Sequence, residues 1–167
     1  RLRKLREELA ARGLDALLVS NLANVFYLSG FTGSTAFLVV ARDDSHILVD
    51  PRYSIQAANE CEHARIVEFS GKAGIVVAAQ LLNDLGLTSV GFEADTLTVA
   101  LHGQLRKLTD KRVRLRSTRE LVEKLRQVKD SHEISLMRIA AGIADSTFEA
   151  VVTEIEWGMS EKEVALI

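Results

Sequence analysis

The chain has one cysteine and one proline in 167 residues, and aromatic side chains make up 5% of it. A lone thiol, Cys61, leaves no intrachain disulfide to form and argues against a secreted disulfide scaffold. It reads as an ordinary semi-buried thiol. No apolar run reaches the length needed to cross a bilayer, and the N-terminus is a charged amphipathic helix rather than a signal peptide. No membrane association is expected, and the expected location is cytoplasmic. Histidine is sparse: His46, His63, His102 and His132 fall on different elements, with no HxxxH pair or His/Cys cluster. A metal site built by these residues alone is therefore not expected. Gly71-Lys72 lacks the upstream glycine of a phosphate loop, Gly30 and Gly33 do not make a dinucleotide fingerprint, and Ser29-Gly30 has no nucleophile-elbow pattern. No self-contained catalytic triad can be assembled, so no catalytic residue is assigned. Internal repeats and low-complexity linkers are also missing.

What is present is a large apolar fraction, 47% of residues, enough for a sizeable core in one domain or a domain with an appendage. The net charge of −2, with signs interspersed, gives no global argument for nucleic acid. One local excess stands out: between Gln104 and Lys129 there are ten Lys or Arg and three Asp or Glu. Within it, Arg112-Val-Arg-Leu-Arg116 alternates basic with apolar residues. That pattern reads as an edge strand with a solvated basic face. A nucleic-acid surface would want stacking aromatics nearby, and this stretch has none.

Leu2, Leu5 and Leu9 recur at helical spacing, with Arg3 one turn from Glu7 and Lys4 one turn from Glu8, and Gly13 is the stop. Ala16–Val19 reads as a buried strand. Asn21 caps a short helix through Leu28, and strands Ala36–Val40 and His46–Val49 flank the turn Arg42-Asp-Asp-Ser45 as an antiparallel hairpin. Pro51 suits the first turn of a helix running to about Glu60, where its missing N–H is harmless. A strand Arg65–Glu68, a helix Ala73–Leu85, a strand Ser89–Phe92, a helix Thr98–Leu108 and the basic strand Val113–Arg116 follow. Ser117 with Glu120 reads as a capping box for a helix through Gln127. The expected fold is α/β, a mixed sheet of roughly six strands covered by helices.

Asp130 and Glu133 make a second capping box and open the longest helix, expected to run to Ile155. Ile134, Met137, Ala141, Ala144, Phe148, Val151 and Ile155 keep an unbroken 3-4 spacing along it, so its apolar face must be covered. Ser160 and Glu163 make a third box whose helix is cut by Ile167. The chain begins at Arg1 rather than Met and ends inside that helix, which reads as a truncated piece. Part of the long helix's face is then expected to be buried by another copy of the chain, or left disordered.

The densest run is Asn24-Val-Phe-Tyr-Leu-Ser-Gly-Phe-Thr-Gly-Ser34, followed sixteen residues later by Asp50-Pro-Arg-Tyr53. Rings, glycines and hydroxyls crowd one loop before a strand, a pattern suited to recognition. Phe26 and Tyr27 are expected to pack in the core, while Phe31, Thr32 and Ser34 read either as a recognition face or as a turn shaped by the glycines with its ring in the core. Arg52 stands where a guanidinium can bind a carboxylate bidentately, with Tyr53 beside it. A competing reading pairs Arg52 internally with Asp50 or Glu93.

Together with Gly13-Leu-Asp-Ala-Leu-Leu-Val19, Gly91-Phe-Glu93 and Val122-Glu-Lys-Leu-Arg-Gln-Val-Lys-Asp-Ser-His-Glu-Ile134, these runs resemble the N-terminal domain of the creatinase, prolidase and Xaa-Pro aminopeptidase family. The resemblance covers nearly the whole chain and is nearest to the Xaa-Pro aminopeptidases and dipeptidases. It implies a ribonuclease H-like N-terminal domain over residues 1–128, and over 129–167 a linker helix that would begin a "pita-bread" catalytic domain. In that larger domain the family holds two divalent metals (Mn, Co or Zn) with two Asp, one His and two Glu, and both metals act as Lewis acids in hydrolysis of the bond before proline. Those ligands would lie downstream, so this piece is expected to be inactive alone and to need no cofactor. The resemblance further implies a homodimer in which Phe31, Thr32, Ser34, Arg52 and Tyr53 gate substrate, peptides with proline at the second position. Some prolidases carry Asp and His in this loop; Gly33 and Ser34 here favour an aminopeptidase-like preference. Non-catalytic relatives in histone chaperones share the domain plan, which leaves a protein-binding module as the alternative. Creatinase itself is resembled less well.

Overall fold

Strand residues that alternate in direction sort this chain into two cores. The computed structural model describes residues 1–71 and 73–167, so Lys72, half of the rejected phosphate-loop candidate, lies outside the described residues. The chain divides into two units, Arg1–Gln127 and Val128–Ile167. In the first, the elements are helix Leu2–Ala11 (α1), strand Ala16–Val19 (β1), helix Leu22–Ser29 (α2), strands Ala36–Ala41 (β2) and Ser45–Val49 (β3), and a 3₁₀ turn Pro51–Tyr53 that leads into helix Ser54–Glu60 (α3). Strand Arg65–Glu68 (β4), helix Gly74–Asp84 (α4), strand Ser89–Glu93 (β5), helix Val99–Leu108 (α5), strand Arg114–Thr118 (β6) and helix Leu121–Gln127 (α6) complete it.

The six strands form one sheet in the order β4-β3-β2-β1-β5-β6. β2 runs antiparallel to both β1 and β3, whereas β4 parallels β3, and β5 and β6 parallel β1 in turn. Leu17, Val19, Leu38, Val40, Ile47 and Val49 pack towards α1, α2, α3 and α6, while Ala16, Leu18, Val39 and Leu48 pack towards α4 and α5. Because side chains alternate across a strand, β1 to β3 are apolar at nearly every position and are buried on both faces. This is the mixed, helix-covered sheet that the pattern of elements predicts.

Local signals read well. Asn21 accepts from the Ala23 amide and caps α2, and Gly30 closes it at φ 84° in the left-handed region that glycine tolerates. Three expectations need correction. Ser117 does not cap a helix: β6 continues to Thr118, held by the Ala94 amide on the Thr118 carbonyl at 3.0 Å, and α6 starts only after Glu120 at φ 56°. The parallel ladder offers these residues more hydrogen bonds than an early helical turn would. Phe26 is 52% exposed rather than in the core, since the inward face of α2 is made by Asn24, Val25, Tyr27 and Leu28 and Phe26 falls on the opposite arc. Cys61 is buried rather than half-exposed, and burial pushes its thiol up.

The second unit is helix Ser131–Glu154 (α7) and a short helix Glu161–Val164 (α8). Both begin with the expected capping boxes, Asp130 with Glu133 and Ser160 with Glu163. No residue of α7 is buried.

Candidate functional site: a polar rim at the sheet's carboxyl edge

Since β2 alone opposes the other strands, the carboxyl ends of β1, β3 and β5 lie along one edge of the sheet. That edge is where loops of open α/β sheets carry ligands. It collects Ser20 and Asn21 after β1, Asp50 after β3 and Glu93 at the end of β5. The antiparallel register of Ala36 with Val49 brings the loop before β2 next to Asp50 and the 3₁₀ turn.

Phe31 anchors that loop at 1% exposure, and its ring meets Tyr53 edge-on, with centroids 5.7 Å apart. Gly33 passes so near these rings that a Cβ there would lie 2.3 Å from Phe31 Cζ and 3.0 Å from Tyr53 Cδ1. The close approach leaves the polar groups outward. Thr32 donates its amide to Glu60 Oε2 and its hydroxyl to Glu60 Oε1, each at 2.8 Å, while Gln56 donates to the Thr32 hydroxyl at 2.8 Å. Ser34 Oγ and Tyr53 Oη share a hydrogen bond of 2.6 Å. Arg52 donates from Nε to Asp50 Oδ1 at 2.8 Å and is otherwise exposed, with its guanidinium 5.8 Å from the Tyr53 ring centroid. Its internal partner is Asp50, whose carboxyl that bond holds below the usual range. Glu93 is engaged elsewhere.

Thus exposed Thr32, Ser34 and Arg52 form a rim with half-buried Tyr53, and Phe31 stands behind it as the brace rather than on the surface. The rim can offer hydroxyl donors and acceptors and a guanidinium with unused N–H groups, a set suited to peptide backbone and carboxylate. Bonds from the Thr32 amide, then from its hydroxyl, lower the Glu60 pKa. A depressed carboxylate stabilises the fold above its unfolded value and loses that contribution as pH falls through the lower, folded value. The Thr32 amide resonance is therefore expected to titrate in acid with a midpoint below the ordinary glutamate range; an ordinary or raised midpoint would contradict the Glu60 clasp.

The sequence reading missed a buried network beside this rim. Glu93 Oε2 accepts from the backbone amides of Ser20 and Asn21, both at 2.7 Å, and Oε1 accepts from Asn24 Nδ2 at 2.7 Å. Asn24, fully buried, also donates to Glu123 Oε1 at 2.6 Å and accepts from Arg126 at 3.0 Å. Strands β1 and β5 and helices α2 and α6 are thereby tied at one point. The signal available was two polar residues inside otherwise apolar stretches. At the opposite edge, a shallow cavity is lined by Asp15, Arg42 and Thr88, but Asp15 Oδ2 already accepts from the Thr88 amide and hydroxyl and the Ser89 amide, at 2.8 to 2.9 Å.

Among the described residues no three or more His, Cys, Asp or Glu stand together as metal ligands, so the residues present do not fit a metal pair. His46 is buried on β3, which pushes its imidazole below the ordinary range, and His132 is exposed. No helix among the described residues is long and apolar enough to cross a membrane.

The family model of the Creatinase/Prolidase N-terminal domain matches residues 1–128. The chain belongs to this family. Its creatinase/prolidase fold recurs in a Xaa-Pro dipeptidase from Bacillus anthracis, which superposes with a TM-score of 0.90 at 32% identity over 98% of this chain and 45% of that one. The N-terminal domain of the cytoplasmic peptidase PepQ of Mycobacterium tuberculosis matches 74% of this chain and 96% of its own, with a TM-score of 0.69 and 34% identity. Among curated sequences, the uncharacterized peptidase YqhT of Bacillus subtilis is 33% identical over 99% of this chain and 46% of its own length. The chain thus spans about half the length of the curated relatives it matches. Homologues and structural neighbours of this creatinase/prolidase domain are Xaa-Pro dipeptidases and aminopeptidases.

Proposed function

We propose that this chain is the non-catalytic N-terminal domain of a Xaa-Pro peptidase that hydrolyses the bond between an N-terminal residue and the proline after it. Residues 1–128 are the creatinase/prolidase-type domain, and 129–167 open the catalytic domain, where a pair of divalent ions (Mn, Co or Zn) would be held. The observation that carries this reading is the polar rim of Thr32, Ser34, Arg52 and Tyr53 on a family domain, built on a buried Phe31 and a Glu60 clasp. A rim held this rigidly can gate the approach of a short peptide, with Arg52 receiving a carboxylate and the hydroxyl pair receiving backbone groups. In the intact protein the gate would serve a homodimer in the cytoplasm, with the apolar face of α7 covered by the assembled enzyme.

In that intact enzyme, Ser34→Ala combined with Tyr53→Ala is expected to raise KM for Xaa-Pro peptides about fivefold with little change in kcat, as removal of uniform binding does. Unchanged KM would remove the gating role. Downstream sequence bearing two Asp, one His and two Glu in the family's order supports the peptidase; replaced ligands would leave a protein-binding module. Turnover of Xaa-Pro peptides by residues 1–167 alone, with added Mn²⁺ or Co²⁺, would overturn the non-catalytic assignment.

A further inference from the structure

β6 is an edge strand whose chemistry the peptidase reading does not use. Its Arg114 amide bonds to the Thr88 carbonyl at 2.7 Å, and its Thr118 carbonyl accepts from Ala94 at 3.0 Å. Backbone groups of Arg114, Arg116 and Thr118 therefore face β5, and by alternation those of Leu115 and Ser117 face outward, where β6 ends the sheet. Shallow hollows flank the strand on both sides. One is lined by Gly13, Lys111, Arg114 and Arg116, the other by His102, Arg106 and Leu115. Among the described residues, Lys111, Arg114 and Arg116 have no carboxylate within ion-pair distance; Arg116 instead donates to the Arg12 carbonyl at 3.0 Å. The face is strongly positive although the chain as a whole carries −2.

We propose that this edge binds an extended acidic segment of a partner protein, which adds to the sheet as a seventh strand beside β6. Strand addition requires open backbone groups for affinity and hollows for alternate side chains, and β6 has both. The charges select the occupant. A second copy of the chain docked edge to edge would set arginine opposite arginine, which is destabilising, whereas alternating Asp or Glu would meet Arg114 and Arg116 as cross-strand partners. Single-stranded nucleic acid shares the negative charge, but no Phe, Tyr or Trp occurs between Phe92 and Phe148 to stack a base.

The test titrates the 167-residue chain with a short blocked peptide alternating glutamate and valine, followed by amide NMR. Expected are the largest shifts at the outward amides of Leu115 and Ser117, binding that weakens with salt, and a loss of about tenfold in affinity when Arg114→Glu and Arg116→Glu are combined. Two N-methylated peptides, blocked at the valines or at the glutamates, probe backbone pairing without altering the protein. At least one must lose binding. If both bind as well as the parent peptide, strand addition is wrong. Equal or tighter binding of an oligothymidylate through the same residues would also overturn the proposal and assign the face to a polyanion.

Discussion

Glu93→Ala is expected to destabilise residues 1–127 by about 3 kcal/mol, read as a lowered urea midpoint with an unchanged slope. The carboxylate accepts from two backbone amides and from Asn24 at 2.7 Å, and each partner keeps its donor after the truncation. Charge-assisted bonds of that length are among the stronger ones, and Asn24 is fully buried, so its amide finds no ready replacement. Glu93→Gln should cost less, because it keeps one acceptor oxygen yet turns an NH₂ group towards donors. The network also predicts non-additivity. Asn24→Ala combined with Glu93→Ala should destabilise by less than the sum of the single changes, since either one already breaks the shared bond. A loss below about 1 kcal/mol for Glu93→Ala would mean that water replaces the carboxylate cheaply at this edge of the sheet.

Phe31→Ala is expected to cost a similar or larger amount, about 3 to 5 kcal/mol, because it leaves a cavity where a fully enclosed ring stood. Its second effect separates the brace from the core. Tyr53 loses the edge-on ring that orients it, so the Ser34 to Tyr53 bond should loosen and hydrogen exchange in the 30–34 loop should accelerate. Phe31→Leu fills most of the volume and should cost about 1 kcal/mol while still releasing Tyr53. Equal exchange in wild type and both variants would show that the rim is held by the Glu60 clasp alone.

Much of the domain could be read along the chain because its signals are local. Asn21, the Asp130 and Glu133 pair and the Ser160 and Glu163 pair each cap the helix that follows immediately, and Gly30 ends α2 through its own backbone. Apolar runs bounded by turns marked β1, β2 and β3, since strands buried on both faces need little else, whereas exposed β6 was marked by its alternation of basic and apolar residues. Ser117 and Glu120 carried the same kind of local signal and lost, because pairing with β5 extended the strand through Ser117 to Thr118. Phe26 was misjudged because helical spacing tells which residues share a face but not how wide an arc the sheet will cover.

By itself, then, the amino-acid sequence determined the elements, most of their caps, the alternation of the sheet and the family resemblance, all of which depend on neighbours within a turn or on ordered motifs. The tertiary structure alone decided that Phe31 is a brace and not a surface ring, and that Thr32 is clasped by Glu60 from 28 positions away. It also decided that Glu93 meets Asn24 across 69 positions. Such contacts depend on strand order and register, and no local pattern encodes which strand ends will stand side by side.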